Sequence, residues 1–216
     1  MEHQLSDASL LGPFLDKYRP DFPLSEQLGA ESADFRPSPL SQILIFWGGM
    51  SFNRGVYRLH TVQSSRYWSQ MVREAFSHRE DDIACFGYDW LGRQFAVRLK
   101  GDMEGKYILL FDPETGDVSK INRDLIDFHN IELVNSSDRA LLNSEFEKWI
   151  AGEERKLEPN ECVGLEIPLS LGGADTPENR KRIDMEVYWT FASQLLDQIK
   201  SLEDGTRIDR VHLIDS

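Results

Sequence analysis

The chain has 216 residues, 40% of them hydrophobic and 28% charged, which is enough apolar content for a packed core and too much for a disordered chain. Its formal charge of −13 argues against a nucleic-acid binder, which needs clustered Lys and Arg, and against an anionic membrane surface. The same charge suits a basic partner, or solubility alone. Cys85 and Cys162 sit singly in apolar runs, so they read as buried thiols in a reducing compartment, with no disulfide framework and no metal-ligand spacing. The start, "MEHQLSDASLLG", lacks a basic n-region and a long apolar run, and no segment approaches the roughly 20 apolar residues that span a bilayer. The expected location is the cytoplasm, with no membrane and no nucleic-acid partner.

In chain order, Leu11, Phe14, Leu15 and Tyr18 fall at helical spacing. A Pro-rich irregular stretch follows. Ser38-Pro39 is a helix start, a capping hydroxyl before a pre-set first turn, and the helix carries Leu40, Ile43, Leu44 and Trp47 up to Gly48-Gly49. Gly55 to His60 reads as a short strand. Ser64 or Ser65 is expected to cap a second helix with Trp68, Met71, Val72, Ala75 and Phe76 on its apolar face. The polar run "SHREDD", residues 77–82, is the expected domain boundary. Beyond it the period changes to two: strands at Ile83 to Tyr88, Gln94 to Lys100, Lys106 to Phe111 and Val118 to Ile121 predict an antiparallel meander with one packed and one wet face. Residues 137–151 predict one helix, "LEPNECVGLEIPLSLGG" an extended crossing, and Asp184 to about Leu202 a last helix with an apolar stripe. The fold class is α+β, an antiparallel β-meander packed with helices in two modules, 1–80 and 81–216.

No chemical motif stands out. The five histidines are scattered, without the convergent spacing of a zinc site, and no G-x-S-x-G marks a serine nucleophile. The knot "FGYDWLGRQFAVRL" places Asp89, Trp90, Gly92 and Arg93 between two strands. A hairpin turn explains it, with Gly92 at positive φ and Asp89 bonded to its own turn. As a binding tip, Trp90 would be an aromatic anchor and Arg93 a bidentate donor. Asp112, Glu114 and Asp117 crowd the turn "DPETGD" and read either as a solvated acidic face or as a docking surface for a basic protein. The partner-binding candidates are thus Asp89, Trp90, Arg93, Asp112, Glu114 and Asp117, with no cofactor and no catalytic residue.

Two stretches carry a family resemblance. "ILIFWGGMSFNRGVYRLH", with the helix after it, resembles the N-terminal GAD-like domain of bacterial toxin-immunity proteins. "FGYDWLGRQFAVRL", "LLFDPETGDVSKI" and "ECVGLEIPLSLGGADTPENRKRIDMEVYWTFASQLLDQI" together resemble the C-terminal domain that accompanies it in type VI secretion immunity proteins, and the C-terminal half also resembles the broad SUKH group. The resemblance implies a non-enzymatic cytoplasmic inhibitor that neutralises a cognate toxin by stoichiometric binding. Some such toxins are nucleases with basic grooves, which an acidic inhibitor would fit. The alternatives are an intracellular adaptor with no toxin partner and an enzyme with an unrecognised hydrolytic site.

Overall fold

The computed structural model describes residues 10–21, 38–76, 82–100 and 105–199. The Pro-rich stretch and the polar break at 77–82 lie largely outside them, as do His3, His78 and His212. Six strands form one antiparallel sheet in chain order: β1 (Ser51–Phe52), β2 (Tyr57–Leu59), β3 (Ile83–Asp89), β4 (Gln94–Arg98), β5 (Ile108–Phe111) and β6 (Val118–Ile121). The expected α+β meander is therefore present. It begins two strands earlier than the change of sequence period. β2, before residue 80, pairs directly with β3, after it, through Tyr57–Asp89, Arg58–Tyr88 and Leu59–Gly87. Segments on both sides of residue 80 thus share one sheet and one core.

The expected wet face does not exist on the central strands. β3 and β5 are buried along their whole length, and β4 at all but its last residue. Phe86, Phe95, Val97, Ile108 and Leu110 belong to one core. Cys85, Ala96, Leu109 and Phe111 belong to the other. The alternation misled because Ala96 is small enough to lie beneath a helix, and Gln94 is buried with its polar atoms bonded: its Oε1 lies 2.8 Å from His60 Nε2. A bulge between Cys85 and Gly87 inserts Phe86 as an extra residue. It sets Gly87 opposite Phe95 and turns Tyr88 onto the second face, where its ring stacks on His60 at 4.7 Å.

Helices cover both faces. α1 (Gly12–Lys17) and α2 (Pro39–Phe46) lie on the first. α2 starts where the sequence places it, with Ser38 Oγ accepting from Ser41 N at 3.2 Å. α3 (Val62–Ala75) lies on the second face and starts earlier than expected. Thr61 is its cap: Thr61 Oγ1 accepts from Ser64 N at 3.0 Å, and Ser64 Oγ accepts from Thr61 N at 2.9 Å, a reciprocal box with Ser where Glu is usual. Ser65, the other expected cap, instead points inward and donates to the Cys85 carbonyl at 2.5 Å.

A helix the sequence reading missed follows β6. α4 (Leu125–Asp127), capped by Asp124, runs on as a π-helical Phe128–Leu133, and its buried His129 and Glu132 break the apolar stripe. The predicted helix at 137–151 is two helices, α5 (Ser137–Leu141) and α6 (Asn143–Ile150), divided by Leu142 at φ 51°. The extended crossing enters a second sheet, β7 (Glu161–Leu165) paired with β8 (Arg180–Asp184). α7 (Met185–Ile199) then carries the predicted stripe, with Met185, Tyr188, Ala192 and Leu195 buried. Asp184 Oδ1 caps it, accepting from Glu186 N at 3.0 Å and Val187 N at 3.1 Å. Among the described residues, no helix is long and apolar enough to cross a membrane.

Two predictions follow from this packing. A Cβ at Gly87 would lie 2.8 Å from both the Arg58 carbonyl and the Tyr57 hydroxyl. Gly87→Ala should therefore cost about 1–3 kcal/mol in denaturant unfolding, and an unchanged midpoint would remove the close-approach argument. His60 and His129 are fully buried, and burial pulls each down to about 4. Their stability contribution is complete above the ordinary 6.5 and is lost as pH falls toward 4, because the unfolded chain then binds the extra protons. That loss is roughly 3 kcal/mol per ring. Unfolding at pH 7 and pH 4.5 should show it, and His129→Gln should reduce the pH dependence; an equal dependence in the variant would refute the assignment.

Candidate partner-binding site

The Asp89–Arg93 knot closes the β3–β4 hairpin as the turn reading expects, with Gly92 at φ 78°. Asp89 Oδ1 accepts from Leu91 N and Arg93 N, each at 3.0 Å, and its Oδ2 accepts from Arg93 Nε at 2.7 Å. Burial pushes the Asp89 carboxyl upward, and the Arg93 guanidinium opposes that shift. Trp90 is completely buried and donates from Nε1 to the Leu141 carbonyl at 2.8 Å. Arg93 reaches the Ala140 carbonyl at 3.1 Å. The knot is therefore no protruding tip: its anchors are spent inside the chain. Flanking sequence could not show this, because the elements that cover the loop lie about fifty residues downstream, in α5 and α6.

The acidic turn stands differently. Asp112 Oδ1 accepts from Glu114 N at 2.9 Å, which shapes the turn. Glu114 is half-buried and ties the turn to the C-terminal part, accepting from Leu169 N at 2.9 Å and from the Tyr188 hydroxyl at 2.7 Å. Asp117 is exposed. The turn and the knot are brought together: Leu91, Asp112 and Glu114 line one small cleft with Asp175 and Arg180.

Three larger openings, among them one of about 450 Å³ beside the starts of α2 and α4, were not legible in the sequence. Another, of about 500 Å³, lies between β6 and α5 and is lined by Arg93, Arg123, Glu132 and Arg139. The buried Glu132 carboxylate accepts from Arg139 Nε at 2.8 Å and lies 3.7 Å from Arg123 Nε, and with Lys120 also on the wall the lining carries more cations than carboxylates. The third, of about 370 Å³, opens beside α3 and the start of α7, between His60, Tyr67, Trp68, Tyr88, Asp184 and Glu186. Spacing marks Trp68 as core but says nothing of Tyr67 beside it, because the partner carboxylates lie more than a hundred residues away. Among the described residues no group of His, Cys, Asp or Glu is arranged to hold a metal. The free thiols Cys85 and Cys162 are buried, and burial pushes both upward, Cys85 to about 12, so neither is an activated nucleophile.

Removing a partner from the knot should register as lost stability. Asp89→Ala leaves a buried guanidinium and two loop N–H groups unpaired and should cost about 3–5 kcal/mol. Trp90→Ala should cost a similar amount, about 3–5 kcal/mol, through its cavity. Chemical denaturation checks both, and a change below 1 kcal/mol on the same scale would contradict the buried-anchor role.

Comparison with known proteins adds a likeness over one segment. Residues 138–196 match the family model described as T6SS immunity protein Tdi1, C-terminal. They run from α5 through α6, β7 and β8 into α7, and include most of the long final stretch singled out in the sequence. The structure is similar to the crystal structure of Atu4351 from Agrobacterium tumefaciens, with a TM-score of 0.57 and 14% identity over 84% of this chain and 87% of that one, a likeness of fold. No curated protein matches the chain. Over residues 138–196, then, the chain is similar to the C-terminal domain of the T6SS immunity protein Tdi1 family.

Proposed function

We propose that the chain binds a cognate secreted toxin in the cytoplasm of its producer and neutralises it stoichiometrically, without turnover. The family match over residues 138–196 carries this reading. The net charge of −13 supports a basic toxin, because complementary charge speeds encounter and selects partners. A nuclease fits that description, since the inhibitor's carboxylates can occupy the place of substrate phosphates. Residues 1–80 fit a GAD-like segment and 81–216 a SUKH-like immunity segment, the two closing a common sheet.

For the contact surface we favour the acidic turn. Asp117 is exposed there, with Asp112 and Glu114 half-buried beside it. Asp89, Trp90 and Arg93 support that surface from beneath by fixing the hairpin. The test is capture of partners from the native cell, then co-expression with the dominant basic effector and purification. An equimolar complex that loses toxin activity is expected, and Asp117→Lys should slow association about 3- to 10-fold without lowering the melting temperature. Protection by far less than one equivalent, or the absence of a complex, would overturn the stoichiometric reading. An unchanged association rate would overturn the placement at the turn.

A further inference from the structure

The opening beside α3 combines three features that point to one ligand chemistry. Its walls are aromatic. His60 lies between the rings of Tyr88 and Trp68, at 4.7 and 6.3 Å, and Tyr67 meets Trp68 edge-on at 5.7 Å. Its rim is anionic: the exposed Asp184 and Glu186 line it, and no Lys or Arg does. Its mouth is open, with Tyr67 42% exposed.

His60 contributes no positive charge near neutral pH, because burial holds its ring at about 4. Arg58, a buried cation over the Tyr88 ring at 4.4 Å, donates from its amino groups to the carbonyls of Glu158, Glu161 and Asp89, and the two rim carboxylates outnumber its single charge. Glu186 bonds the Tyr67 hydroxyl, and burial, then Glu186, Glu74 and Asp184, push that phenol up to about 12, so the field at the mouth is negative. Asp184 has its own task as the α7 cap, with Oδ2 accepting from Asn160 Nδ2 at 3.0 Å. Glu186, whose partner is the exposed Tyr67 hydroxyl at the same mouth, is the carboxylate that can turn to a ligand.

We infer that this pocket receives an arginine side chain presented by the protein partner, its guanidinium against the aromatic wall and its charge answered by Glu186. Aromatic faces attract cations, and a planar guanidinium both stacks on rings and pairs with carboxylates. A volume of about 370 Å³ admits one such side chain. The exposed Tyr67 supplies apolar contact of the kind that commonly surrounds a binding hot spot. The partner's identity as the toxin rests on the function proposed above; the pocket's choice of ligand does not.

The experiment has two arms. In the first, N-acetyl-arginine methylamide is titrated into the full chain and followed by amide and indole NMR shifts, with the citrulline analogue as the uncharged control. Saturable shifts confined to Ser64, Trp68 and Glu186 are expected with arginine, with at least a tenfold weaker response to citrulline and to Glu186→Gln. No saturation, or equal response to both probes, overturns the pocket. In the second arm, Glu186→Lys and Tyr67→Ala, each checked for an unchanged melting temperature, are assayed against the toxin that the parent neutralises. A tenfold or greater loss of affinity is expected for each, and parental affinity in both overturns the pocket's place in the interface. If the parent neutralises no toxin, the proposed function falls while the first arm still decides the pocket.

Discussion

The loop between β3 and β4 is the point to which the rest of the fold is tied. Four distant elements bond to it. α5 receives the Trp90 indole and the Arg93 guanidinium at the Leu141 and Ala140 carbonyls. β7 donates from Val163 N to the Trp90 carbonyl at 2.7 Å. α7 donates from Trp189 Nε1 to the Gly92 carbonyl at 2.8 Å. The middle of β2 sends Arg58 to the Asp89 carbonyl at 3.0 Å. A tight turn leaves backbone carbonyls without strand partners, and here those carbonyls are bonded to the layers that bury them. The Asp89–Arg93 pair holds the turn in the one shape that presents them.

That arrangement explains how the family-matched segment relates to the remainder. Residues 138–196 bring α5, α6, the β7–β8 hairpin and most of α7, and each packs against the sheet. The matched segment and the six-stranded meander therefore share their cores. The Glu114 bonds to Leu169 and Tyr188 add a second link, so the acidic turn is coupled to α7, which also borders the aromatic pocket.

Much of this was legible in the residues. Ser38-Pro39, the apolar face from Trp68 to Phe76, the four strands after residue 82 and the stripe on α7 all followed from local rules of capping and period. What stayed hidden depended on partners far away in sequence. The double-faced burial of β4 hides behind Gln94, which reads as solvent-facing until His60 is placed beside it. The cap at Thr61 was missed because Ser64 serves in place of the usual Glu. The π-helical turn and the left-handed Leu142 carry no local signature: Leu142 fits a helix by periodicity, and its backbone conformation is imposed by the packing of α5 and α6 on opposite sides of it. At the site, Trp90 looked like an anchor because an aromatic in a short loop is often exposed; the helices that bury it could not be placed by spacing alone.

The two margins of the sheet constrain how a partner can approach. At one, Phe52 of β1 is bridged by Pro20, a residue without an N–H to offer. At the other, β6 is only four residues long and exposes Ser119 and Lys120. Short, charged or proline-guarded borders discourage the addition of a foreign strand. Recognition by backbone ladder is thereby suppressed, and specificity is left to side chains on the covering helices and turns, where sequence can diverge without disturbing the scaffold.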